Sequence, residues 1–181
     1  MSAILKEAPV DQLYENMYRL LASTPNQFVR YLYPHIHWES RMLGIVGPRG
    51  VGKTTLLLQH ILNSDQTNES LFVFADSMYF SEHTLFDTAE AFSKNGGTFL
   101  YIDEVHKYEG WSRELKAIYD SFPHLHVRFT GSSVLDIEKG EADLSRRAPK
   151  YHLQGLSFRE FLAMRHNISC EPYTVSYTHL T

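Results

Sequence analysis

GPRGVGKT, residues 47 to 54, fits the pattern GxxxxGK[ST] at every fixed position. A chain of this length and average composition meets that pattern by accident on the order of 1% of the time. RMLGIV at 41 to 46 reads as a buried strand leading into the loop, and KTTLLLQHIL from Lys53 reads as a helix leaving it. Strand, glycine loop and helix in that order predict a phosphate-binding turn. Gly47, Gly50 and Gly52 let the backbone curl so that successive N–H groups face one anion, and the helix adds its positive N-terminal end. The expected nucleotide contacts are Gly47, Pro48, Arg49, Gly50, Val51, Gly52, Lys53, Thr54 and Thr55. Lys53 is expected to reach the β- and γ-phosphates of ATP and so to act in catalysis, and the Thr54 hydroxyl to ligate Mg2+. The plainer alternative, a glycine turn ahead of a core helix, needs neither Lys53 nor Thr54.

TFLYID at 98 to 103 is continuously apolar until its last residue, as expected of a parallel strand covered on both faces. It ends in Asp103-Glu104, and an unpaired carboxylate at a core edge is costly to desolvate. If one sheet carries both motifs, Asp103 lies near the metal and can hold it through water. Glu104 would then accept a proton from, or orient, the water that attacks the γ-phosphate. The alternative is a solvated loop after a strand.

Outward from these two motifs, strands and helices alternate. Val10, Leu13, Met17, Leu20 and Leu21 recur at helical spacing, and Thr24-Pro25 reads as the start of a second helix through Phe28, Val29 and Leu32 that stops before Pro34. Further strands are predicted at 70 to 75, 125 to 131 and 151 to 153. Helices are predicted from Glu82 to Lys94, broken by Asn95-Gly96-Gly97, and through Trp111, Leu115, Ile118, Tyr119 and Phe122. Ser157 and Glu160 form a capping box opening a helix through Phe161 and Met164. The alternation implies an α/β fold, a parallel sheet with helices on both faces and ligands at the carboxyl ends of the strands.

The 181 residues have room for one such domain, and 43% hydrophobic content supplies its core. Seventeen Lys and Arg against 21 Asp and Glu leave a net charge of -4, which gives no global attraction for nucleic acid or anionic membrane. A single cysteine, Cys170, excludes a disulfide framework and a cysteine zinc cage and fits a reducing compartment. Lys6 and Glu7 interrupt any signal-peptide core, and no apolar run reaches membrane-spanning length. A cytoplasmic protein is expected.

GPRGVGKTTLL, FLYIDEVHKY, and FTGSS followed by ADLSRRAPKYHLQGLSFREFL together resemble the prokaryotic AAA-type ATPases that couple a P-loop core to a C-terminal domain of unknown function. The resemblance runs from about Trp38 to Leu162. It implies a P-loop NTPase of the additional-strand, AAA-like type, with strand order 5-1-4-3-2. It also implies a polar γ-phosphate sensor after the fourth strand, Ser132 or Ser133 with Thr130 behind them. A downstream arginine, Arg146 or Arg147, would complete the catalytic site. On this reading residues 1–38 are a helical lead-in, 39–156 the ATPase core and 157–174 the start of a truncated C-terminal region. Residues 175–181 end in VSYTHLT, which reads as a translated sequencing adapter and hence a non-native tail, or else as a terminal strand.

The expected activity is Mg-dependent ATP hydrolysis that drives a conformational change. The alternatives are a slow nucleotide-gated switch or interaction module, and a nucleic-acid-associated motor or loader. Partners beyond ATP would be a second copy of the chain, or an unknown protein or C-terminal domain. For nucleic acid only Arg146, Arg147 and Lys150 speak, a small footprint. No NKxD motif supports guanine. Tyr31 and Trp38 could stack on adenine or pack in the core, and the His35/His37 and His124/His126 pairs read as strand-surface histidines rather than metal ligands.

Overall fold

The computed structural model describes residues 9–131, 144 and 146–169. Ser132, Ser133, Cys170 and the tail therefore lie outside the described residues. Five strands form one sheet: β1 (Met42–Val46), β2 (Ser70–Phe74), β3 (Phe99–Asp103), β4 (His126–Gly131) and β5 (Lys150–His152). Their order is β2-β3-β4-β1-β5 with every pairing parallel. This is the expected 5-1-4-3-2 order. Among the described residues the helices are α1 (Pro9–Ser23), α2 (Lys53–Asn63), α3 (Leu85–Lys94), α4 (Trp111–Ser121) and α5 (Phe158–His166).

Strand periodicity divides the core in two. Met42, Val46, Leu71, Val73, Leu100, Ile102, Val127 and Phe129 face α3 and α4, while Leu43, Ile45, Phe72 and Tyr101 face α2. Burial on both faces explains the continuous apolar runs. Helix α1 contributes Leu13 to the first layer and Met17 and Leu21 to the second, so it covers the exposed edge of β2. Gly44 stands opposite Phe129 in the β1–β4 register, and a Cβ there would lie 2.7 Å from the phenyl ring.

The helix expected from Thr24 through Leu32 is absent, and a single 3-10 turn at Tyr33–His35 carries Pro34. The Thr24 hydroxyl donates back to the Leu20 carbonyl of α1 at 2.8 Å, and beyond it tertiary hydrogen bonds replace the helical ladder. The Pro25 and Phe28 carbonyls accept from the Gln59 amide, each at 2.8 Å. The Tyr31 N–H donates to Glu160 Oε1 at 3.0 Å. Helix α3 also begins later than Glu82, because the Thr84 hydroxyl caps it by accepting from the Asp87 N–H. The capping box at Ser157 is formed on both sides as predicted.

Gly47 is a point of close backbone approach. It leaves β1 at φ 156°, and a Cβ placed there would lie 2.2 Å from the Leu153 carbonyl oxygen just beyond β5. Both groups are backbone, so no rotamer can relieve the overlap. Gly47→Ala is expected to destabilise the protein by about 1 to 3 kcal/mol, read as a lowered urea midpoint. A change under about 0.5 kcal/mol, the range of neutral surface substitutions, would contradict this packing.

Candidate functional site

Both sequence motifs emerge at the carboxyl edge of the sheet, on either side of β4. From β1 the chain turns through Pro48, Arg49 and Gly50, all exposed, and enters α2 at Lys53, which is 5% exposed. Gly50 and Gly52 adopt φ of 81° and 96°, and a Cβ at either would meet no atom within 4 Å. Glycine is therefore required there by backbone conformation, and the concave side of the turn is open. Lys53 Nζ donates to the Gly47 and Pro48 carbonyls at 2.9 and 2.8 Å. Burial lowers its pKa, while Asp103 and Glu104 oppose that shift. A cation bonded to two loop carbonyls has a ready exchange partner in a phosphate oxygen.

Asp103, 2% exposed at the end of β3, has each carboxylate oxygen bonded to a threonine. Thr54 Oγ1 donates to Oδ2 at 2.7 Å, and Thr130 Oγ1 on β4 donates to Oδ1. Burial raises the Asp103 pKa and Glu104 adds to the rise, while the two hydroxyls and Lys53 oppose it. A carboxylate and a hydroxyl in contact present hard oxygens of the kind Mg2+ takes, so the donor set fits that ion.

Glu104 has φ 54°, a left-handed conformation uncommon for a residue with a side chain. Its N–H donates to Thr130 Oγ1 at 2.9 Å, so one hydroxyl fixes both acidic residues. Its carboxylate is paired with Lys107, whose ammonium also meets Asp76 Oδ2 at 2.6 Å. Sequence reading placed Thr130 only behind the sensor serines and missed Lys107, which lies i+3 from Glu104.

A cavity of about 520 Å³ adjoins the loop. Pro25 and Phe28 wall one side, Gly50, Val51, Gly52 and Thr55 form its floor, and Gly155, Leu156 and Met164 wall the other. Arg30 ties these parts together. Its Nη1 donates to the Val51 carbonyl at 2.6 Å, its Nη2 to the Gln154 and Gly155 carbonyls at 2.8 and 3.2 Å, and its Nε to Glu160 Oε1 at 2.8 Å. Glu160 also accepts from the Ser157 N–H at 2.9 Å and the Tyr31 N–H at 3.0 Å. The sequence showed Glu160 only as a capping residue; Arg30 was hidden in the stretch read as a helix.

Other expected site residues lie elsewhere. Arg146 is exposed, and Arg147 sits at the opposite edge of the sheet from Lys53: its Nε is 3.4 Å from Asp120 Oδ1 and its guanidinium 5.7 Å from the Tyr119 ring. Those residues end α4, beside Arg41 at the start of β1. The chain from Arg147 must still run up β5 to reach the carboxyl edge, so in its own subunit this arginine does not meet the loop. Trp38 is stacked on His60 at 3.7 Å within the α2-side core, away from the cavity. Packing rather than base stacking is its role here. Tyr31 lines a separate groove with Pro34 and Arg159. His124 bonds to Ser93, and the His126 ring packs at a tilt against Phe99.

The model of the family described as AAA domain matches residues 39–162. Among solved structures, the chain is similar to AMPPCP-bound DnaA from Aquifex aeolicus at TM-score 0.51 and 14% identity, covering 88% of this chain and 54% of that one. It is similar to a Walker-type ATPase of Pyrococcus abyssi at TM-score 0.48 and 16% identity, covering 87% and 59%. It is also similar to PCH-2 of C. elegans at TM-score 0.47 and 18% identity, covering 84% and 44%. The chain thus spans about half the length of these structures. No curated protein matches the sequence. Among the described residues, no helix is long and apolar enough to cross a membrane.

The Arg30–Glu160 pair makes stability depend on acid. Burial alone would raise the Glu160 pKa, but the bonds from Arg30, Ser157 and Tyr31 outweigh it and hold the group at about 2, against an ordinary 4.5. A depressed folded pKa means the stabilisation is complete above the unfolded value and is lost as pH falls through the folded one. Glu160→Gln should therefore be less stable than the parent by a constant margin above about pH 5, narrowing from there toward pH 2. Urea midpoints across that range test it. A margin unchanged down to the acid limit would show that Glu160 is not ionised in this pair.

Proposed function

The chain belongs to the AAA domain family, and we propose on that footing that it binds ATP at the Gly47–Thr54 loop, hydrolyses it with Mg2+, and uses the cycle to drive a conformational change. The observation that carries this reading is the meeting of Lys53, Thr54, Asp103 and Glu104 at one sheet edge, with Thr54 and Asp103 2.7 Å apart. The cavity beside them is wide enough for a nucleoside.

In this proposal the loop N–H groups and the α2 N-terminus bind the phosphate chain. Lys53 gives up the Gly47 and Pro48 carbonyls and takes the β- and γ-phosphate oxygens. Thr54 Oγ1 and the Asp103 carboxylate would hold Mg2+, which when bound neutralises charge on the phosphates. Glu104 leaves Lys107 and accepts the proton of the attacking water at its carboxylate. Thr130 keeps Asp103 and the Glu104 backbone in place throughout. Because Arg147 lies at the far edge, an arginine from Arg146 or Arg147 would enter the reaction only across a subunit interface.

The second reading is a slow nucleotide-gated switch. One observation favours it: the Glu104 carboxylate is held in an ion pair with Lys107 rather than turned to an attacking water. A partner, a second copy or a C-terminal region would then set the rate by moving Glu104. A cytoplasmic location is part of the proposal, since ATP and a reduced Cys170 are both expected there.

Two substitutions separate binding from turnover. Lys53→Ala should abolish binding of a fluorescent ATP analogue, since Lys53 is the cation at the head of α2 that already meets the loop carbonyls; binding within threefold of the parent would remove the loop from the site. Glu104→Gln should keep the parent's ATP affinity and slow hydrolysis by about 10²-fold or more. Equal loss of affinity and rate would instead make Glu104 a structural or metal-binding group.

A further inference from the structure

We propose that Arg30 is a positioning residue for the phosphate loop, acting on the Val51–Gly52 peptide, and that Glu160 makes this action depend on where α5 sits. The inference rests on the nucleotide reading above and adds a residue outside the loop and strand motifs.

A trans peptide is planar, with its C=O and N–H pointing in opposite directions. Arg30 Nη1 donates to the Val51 carbonyl at 2.6 Å, which turns that carbonyl toward Arg30 and the Gly52 N–H away from it. Gly52 is the last residue before α2 and has φ 96°. A peptide beside a glycine can rotate at little steric cost, because glycine tolerates both signs of φ. The amide at the helix N-terminus, where an anion would be bound, therefore keeps its direction only while something outside the loop holds the carbonyl. Among the described bonds, that contact is Arg30.

Arg30 is itself held. Two further donations go to the Gln154 and Gly155 carbonyls after β5, and its ion pair with Glu160 is buried, with side chains 10% and 7% exposed. Glu160 lies in the first turn of α5 and closes its capping box on Ser157. Guanidinium geometry matters here, since a planar fork can serve a carboxylate and three carbonyls together while an ammonium cannot. If α5 shifts, Glu160 and the capping turn move with it, Arg30 loses its anchor, and the Val51–Gly52 peptide is freed. The phosphate site and the C-terminal helix are linked through one side chain.

The test uses the full chain, with Mg2+ and inorganic tripolyphosphate as a probe that has no base to contact the cavity walls. ATP binding by the parent, and its loss in Lys53→Ala, first establish the nucleotide reading. A parent that binds neither ligand would overturn that reading and this inference with it. Arg30→Lys is then expected to weaken tripolyphosphate and ATP alike by at least about tenfold, since the phosphate-facing amide is common to both. In amide NMR, the Gly52 resonance should move on saturation in the parent and move less in the variant, a signature that general destabilisation would not give. Glu160→Gln keeps Arg30 and its carbonyl bonds and should weaken tripolyphosphate by roughly threefold or more. It decides the question if Arg30→Lys does not fold. Tripolyphosphate bound within twofold of the parent, or an unaltered Gly52 shift at saturation, in the folded variant would overturn the proposal. Loss of ATP affinity alone would also overturn it, leaving Arg30 as a cavity wall.

Discussion

The buried carboxylate of Asp103 is the constraint on which the rest of the structure depends. A carboxyl group 2% exposed is costly to bury unless it is bonded, and here each oxygen has a hydroxyl: Thr54 from the head of α2 and Thr130 from β4. Those two bonds fix the first turn of α2 against the ends of two strands that are not its sequence neighbours. The strand order makes this possible, because β4 lies between β1 and β3 and brings Thr130 to a place that neither motif could reach alone. Thr130 then holds the Glu104 N–H, so the left-handed backbone of Glu104 follows from the same hydroxyl.

A second layer of constraint encloses the first. Gln59 draws the Pro25 and Phe28 carbonyls onto α2, and Arg30 joins that same segment to the loop, to the exit of β5 and to α5. The cavity is thus walled by pieces remote in sequence that these polar bonds tie together. A buried pair of this kind contributes less to net stability than its bonds suggest, but removing one partner leaves a buried charge. Its effect is on position more than on stability.

The sheet and the loop were legible because their signals are local. Apolar runs of strand length, a glycine pattern and a capping box each state their own structure, and Asp103-Glu104 at the end of such a run marks a site edge. The segment from Pro25 to Leu32 was not legible. Its apolar spacing suits a helix, yet its Pro25 and Phe28 carbonyls and the Tyr31 N–H are spent on Gln59 and Glu160, partners 31 or more residues away that a local pattern cannot register. Arg30 was invisible for the same reason. For Arg146 and Arg147 the sequence states a position after β4 but not an edge: the chain enters β5 from the edge opposite Lys53, where Arg147 meets Asp120. Ser132, the expected sensor, lies outside the described residues.

The AAA domain match gives this geometry a family, while the activity rests on whether the four clustered side chains can turn ATP over. The most direct measurement is multiple-turnover release of inorganic phosphate from ATP by the unaltered chain, with Mg2+ and with excess EDTA. The account requires more than one phosphate per chain with the metal and none above the blank without it. Saturable ATP binding with no release in either condition would contradict hydrolysis and leave the nucleotide-gated switch as the function of the fold.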